Sequence, residues 1–129
     1  MPWPSTWQNT ALAHHLVRRR GLVMDTIGAR AKTRARWFEL AEALNGKLIA
    51  VECVCPDEQA HHERVARRSR GIPGWPATVN WEHVQRTREL WEPWEQDRLV
   101  IDTLQALDDC VERVVRRTSE YARLPSTAE

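Results

Sequence analysis

The chain has 129 residues, 29% of them charged and 42% apolar, and 19 Lys and Arg against 18 Asp and Glu leave a formal net charge of +1. That length suits one domain with a core of useful size, and the mixture excludes a polar disordered chain. A general nucleic-acid binder carries a larger basic excess, and no apolar run approaches the ~20 residues that cross a bilayer.

In chain order, residues 7–19 carry a short helix pattern. "GLVMDT" (21–26) is apolar, ends in Asp-Thr and reads as a strand. Residues 30–44 place Trp37, Leu40, Ala41 and Leu44 on one helical face, and Asn45-Gly46 supply a stop. "KLIAVECVC" (47–55) is a second strand, rich in β-branched residues. Residues 57–69 open with Asp57 and Glu58 and close with arginines, as the helix dipole favours. A Gly-Ile-Pro-Gly-Trp-Pro turn follows at 71–76. A helix over 80–92 is capped by Asn80, with Trp81, Val84 and Trp91 along one side. "RLVIDT" (98–103) echoes the first strand, and residues 106–121 align Leu107, Val111, Val114, Thr118 and Tyr121 at helical spacing. The last residues, 123–129, read as a frayed tail. Strands that alternate with helices predict an α/β domain with a parallel sheet over 1–122, and near-continuous apolar strands suit a sheet covered on both faces.

Ligands in such folds bind beyond the carboxyl ends of the strands. That rule singles out Asp25-Thr26, Cys55-Pro56 and Asp102-Thr103. A carboxylate at the end of an apolar strand, as at Asp25, can hold magnesium in a phosphate-transfer enzyme; a capping or turn aspartate is the alternative. Arg30, Lys32, Arg34 and Arg36 crowd a helix start, where positive charge is unfavourable. A bound anion would offset it, and a solvated basic face is the plainer account. Arg64 and Arg68 lie four apart on one face with Arg67 and Arg70 close by, and guanidinium forks suit phosphate oxygens. Surface arginines are commonly only solvated; a Pro-Gly hinge beside them adds weight to a closing lid. Cys53, Cys55, His61 and His62 match no standard zinc spacing and read as strand thiols and helix histidines. Three cysteines, an odd number, and an opening "MPWPSTWQNT" without secretory character predict free thiols in a reducing cytoplasm.

"LVMDTIGARAKTRARWFELAEAL", "IAVECVCPDEQAHHERVARRSRGIPGWP", "NWEHVQRTRELWEPW" and "RLVIDT" together resemble the bacterial predicted P-loop kinases, often described as AAA-family ATPases, which are similar to zeta-toxin and chloramphenicol-phosphotransferase-type kinases. The resemblance covers roughly residues 10 to 120 and is most specific in "ECVCPDE...H..R...R.RGIPGW". It implies a P-loop NTPase-type three-layer fold, with ATP and Mg2+ as cofactors and phosphoryl transfer from ATP to a small-molecule hydroxyl. By residue, it implies that Asp25 is the Walker B-like metal carboxylate. It makes Arg64, Arg68 and Arg70 the catalytic arginines of a lid over about 64–80. It sets Asp102 and Thr103 near the adenine. Trp81 and Trp91 sit at core spacing and read as anchors of the connector rather than ligand contacts. The family's Gly-x-x-x-x-Gly-Lys-Ser/Thr loop is absent: the only Gly-Lys pair, Gly46-Lys47, is followed by Leu48, and Ala41 stands where the first glycine belongs. The expectation is therefore an incomplete domain lacking a central strand, with weak or absent catalysis. Its free sheet edges invite a second copy or another chain that supplies the strand. The competing expectations are a non-catalytic interaction module that pairs through those edges, and an RNA or single-strand binder, which the near-zero net charge argues against.

Overall fold

A computed structural model describes residues 10–11, 14–15, 18, 20–68 and 79–123. Within them the order is α1 (Ala31–Ala43), β1 (Val51–Val54), α2 (Glu58–Arg67), α3 (Trp81–Glu89), β2 (Leu99–Asp102) and α4 (Leu107–Arg123). The chain is thus mixed α/β. Of the helix expected over 7–19, residues 10, 11, 14 and 15 are described and helical; the rest of it other than residue 18, the tail beyond Arg123 and most of the 64–80 lid lie outside the described residues.

Local chemistry accounts for the helix ends. At α1, Asn45 takes the left-handed conformation (φ 52°). The Gly46 N–H then donates to Ala41 O at 2.7 Å and the Asn45 N–H to Glu42 O at 3.0 Å. These two bonds form a Schellman stop with Asn in the place more often taken by Gly. Asp57 caps α2 by accepting from the Ala60 N–H at 2.8 Å, and Asn80 caps α3 by accepting from the His83 N–H at 2.9 Å.

The sheet has two parallel strands, in the register Val51↔Leu99, Glu52↔Val100, Cys53↔Ile101 and Val54↔Asp102. Parallel neighbours need a long crossover, and here it carries α2 and α3. α4 packs on β2, and α2 lies against α3.

The strand expected at 21–26 does not form: residues 20–29 carry neither helix nor strand. Val23 is 93% exposed and Ile27 60%. An apolar, β-branched run becomes a strand only when a neighbour accepts its ladder. Here the end of the segment is committed elsewhere: Gly28 O and Ala29 O accept from the Arg34 guanidinium, and Ala29 O also accepts from the Glu92 N–H. The three-strand sheet expected from 21–26, 47–55 and 98–103 is therefore a two-strand sheet among the described residues, and both strands are shorter than expected.

Three apolar residues among those described are buried: Trp37, Ala41 and Ile101. The largest side chain removed from solvent is Arg34, at 0% exposure. No described helix is long and apolar enough to cross a membrane.

Candidate functional site at the strand carboxyl ends

The parallel strands end at Val54 and Asp102, and the residues that follow them converge. Thr103 continues the ladder, its N–H donating to Val54 O at 2.9 Å. Its hydroxyl also donates to Val54 O at 2.9 Å. That fixes the Thr103 rotamer and leaves oxygen lone pairs for one donor. The donor is Arg64, reaching from α2. Its Nη1 donates to Thr103 Oγ1 at 3.0 Å and its Nη2 to Thr103 O at 2.9 Å. The same Nη1 lies 3.9 Å from Cys55 Sγ. A guanidinium has five N–H groups, so these contacts orient the fork without consuming it. Arg64 remains exposed. A positioned, solvent-facing guanidinium at the carboxyl end of a parallel sheet can bind a phosphate or carboxylate.

Asp102 has the turn role. Its Oδ1 accepts from the Leu104 N–H at 2.9 Å, closing an Asx turn as the chain leaves the sheet. Cys110 adds a weak Sγ contact to Asp102 O at 3.5 Å.

Of the residues singled out in the sequence, the structure brings Arg64, Asp102, Thr103 and Cys55 to one place. Arg68 is the C-cap of α2, and its exposed side chain joins none of the described groups. Arg70 lies outside the described residues. Asp25 is exposed in the irregular segment before α1. No group of three His, Cys, Asp or Glu side chains among the described residues is arranged to hold a metal ion.

The basic cluster at the start of α1 has a different explanation from a bound ligand. Arg30, the N-cap, makes no side-chain cap. Glu92 supplies the anion instead. Its Oε2 accepts from the Ala31 N–H at 2.6 Å and its Oε1 from Arg30 Nη1 at 3.2 Å. The Ala31 amide first, then Arg30, hold the Glu92 carboxyl below the usual carboxylate range.

Arg34 lies within this junction. Its Nη1 donates to Gly28 O (2.8 Å) and Ala29 O (2.9 Å), and its Nη2 to Glu92 O (2.8 Å) and Pro93 O (2.5 Å). The guanidinium stacks over Trp94, 4.5 Å from the ring centroid. Gly28 sits at φ 58°, and a Cβ there would meet the Trp37 ring at 3.3 Å. One side chain thus ties two segments some sixty residues apart to the same helix. Sequence reasoning missed this role. The available signal was helical phase: Arg34 shares the face of Trp37 and Ala41 at spacings of three and four.

The tryptophans divide. Trp81 anchors the contact of α2 with α3, edge-on to His61 (5.3 Å) and His62 (4.9 Å), with Arg88 over its ring at 5.1 Å. Trp91 is 38% exposed. Arg88 Nη2 lies 3.1 Å from His61 Nδ1. Arginine can only donate, so Nδ1 accepts and the imidazole is neutral with its proton on Nε2. Partial burial, then Arg88 and Arg64, push the His61 pKa down, and Glu58 opposes them.

No family model, curated protein or solved structure matches this chain.

Proposed function

We propose that this chain is a P-loop kinase-like module whose phosphate-handling end is the carboxyl end of the β1–β2 sheet. The family reaction is ATP-dependent phosphoryl transfer to a small-molecule hydroxyl. One observation carries the reading. Arg64, the arginine that the sequence resemblance assigns to phosphate, is held by Thr103 beyond the ends of two parallel strands. Arg64 would neutralise charge on the terminal phosphate, and Thr103 would set its direction. The described residues fit a phosphate better than a magnesium ion: one Asp102 oxygen is committed to the Leu104 N–H, and Asp25 stands in no ligand group. Magnesium commonly binds through one or two carboxylates plus phosphate oxygens, so it would arrive with the nucleotide. The 129 residues contain no Gly-x-x-x-x-Gly-Lys-Ser/Thr, the loop whose amides and lysine grip the phosphates. The chain alone is therefore a weak or inactive catalyst.

Thermal-shift titration tests this. Mg-ATP raises the unfolding midpoint, sulfate raises it less, and Arg64→Ala removes both shifts. An unchanged midpoint at saturating Mg-ATP, or an equal shift in Arg64→Ala, overturns the proposal. Phosphotransfer by the isolated chain at ordinary kinase rates overturns the inactive part alone.

A second reading, a non-catalytic module that pairs with another chain through its sheet, is favoured by the β1–β2 pair, which has no third strand on either edge among the described residues. An unpaired parallel edge presents a row of amides and carbonyls to any complementary strand. Co-purification with a chain that carries the phosphate loop supports it; a stable monomer that recruits none counts against it.

A further inference from the structure

α4 docks on the sheet through only part of its apolar face, where Cys110, Val114 and Tyr121 are half-buried. Its contacts run through Cys110 to Asp102 O (3.5 Å), Arg113 Nη2 to Val100 O (3.2 Å) and Arg117 to Asp97. The apolar stripe at spacings of four faces away: Leu107 is 76% exposed, Val111 51% and Val115 56%. Leu104, just before the helix, is also exposed. Solvated apolar residues are ordinary when scattered, but an aligned stripe on a seventeen-residue helix marks a covered surface.

Charge identifies what covers it. The N-terminal half of α4 carries Asp108, Asp109 and Glu112, with Arg113 turned to the sheet, and the C-terminal half carries Arg116, Arg117 and Arg123, with Glu120 between them. Asp108, Glu112, Arg116 and Arg123 flank the stripe on its solvent side at helical phase. Two such helices laid antiparallel across a two-fold axis set the acidic half of each beside the basic half of the other. Their dipoles also oppose favourably. A surface that complements itself under a two-fold rotation is the requirement for an isologous dimer.

We propose that the occupant is a second copy of this chain: α4 pairs antiparallel with the partner's α4 through Leu107, Val111 and Val115, flanked by Glu112–Arg116 contacts between the two chains. This goes beyond the kinase-like reading and stands or falls separately. Within one chain Arg116 Nη2 already meets Glu112 Oε1 at 2.8 Å, and both side chains are well exposed (63% and 67%), so they are free to exchange partners.

Analytical ultracentrifugation tests it. The wild-type chain sediments as a dimer, and Val111→Asp weakens self-association about a hundredfold. Glu112→Arg alone and Arg116→Glu alone each dissociate the dimer through like-charge contacts. Mixing those two variants restores association, because every cross-chain pair is again opposite in sign. Both are exposed substitutions, and circular dichroism checks that they retain helix. A monomeric wild type, dimerisation unaffected by Val111→Asp, or a failure of the mixed charge-swap pair to associate would each overturn the proposal and indicate another chain, or another part of this one, on the stripe.

Discussion

Arg34 is a fully buried charge without a direct carboxylate contact. Four carbonyl oxygens and the Trp94 face replace its water, and the Glu92 carboxylate senses its field. Its geometry follows from the fork: two nitrogens that each donate twice can bridge two chain segments, which an ammonium cannot do in the same plane. Removing the side chain leaves the Gly28, Glu92 and Pro93 carbonyls without this donor, Ala29 O keeping only the Glu92 N–H, and opens a void beside Trp94. Arg34→Ala is expected to lower stability by about 3 kcal/mol or more, and Arg34→Lys to recover only part of that. Urea unfolding measures both; a loss below about 1 kcal/mol would mean that the junction is solvated. The sequence held a signal of this in the phase that Arg34 shares with Trp37 and Ala41, although the basic cluster reads first as a solvated or anion-binding face. It could not reveal the acceptors, because they belong to loops whose approach is a tertiary event.

At the scale of elements, α2 and α3 meet through aromatic and cationic contacts. His61 is the titratable member, facing Trp81 and Arg88, with Glu58, Arg64 and His62 nearby on its own helix. Its folded pKa lies below the ordinary 6.5. As pH falls through 6.5 the unfolded chain takes up the proton first, so stability falls there and levels off below the folded pKa. Protonation also removes the acceptor that Arg88 uses. The expected loss is at most about 1 kcal/mol for so exposed a pair, and His61→Phe, which keeps a ring against Trp81, should flatten the pH profile of the urea midpoint. A wild-type midpoint independent of pH across this range would remove the coupling. The caps of this pair were legible in advance, since Asp57 and Asn80 act within three residues of themselves. The 21–26 strand was not, since a strand depends on a partner that the sequence does not name.

At the scale of the molecule, the shortage among the described residues is in buried apolar surface. Two strands and a few inward residues give a parallel sheet little cover, and small sheets are marginal without more. A compact chain of this length unfolds with an enthalpy of about 90 kcal/mol near 60 °C. Scanning calorimetry on the dilute chain should give less than half of that. It should rise with protein concentration as the α4 surface is covered. A full-sized, concentration-independent transition would contradict both the thin core and the self-association.

Composition, helix phase and capping residues by themselves determined that this protein is mixed α/β, where the described helices begin, and that 47–55 and 98–103 hold strands; the stop of α3 at Glu89, short of the expected 92, was not among them. Each of those depends on contacts within a turn or two of the chain, or on residue preference. Tertiary structure alone decided that 21–26 forms no strand, that Glu92 rather than a ligand neutralises the start of α1, that Arg34 is interior, and that Arg64 reaches Thr103. These join segments between about forty and sixty residues apart, and one sequence carries no record of which distant backbone groups will meet.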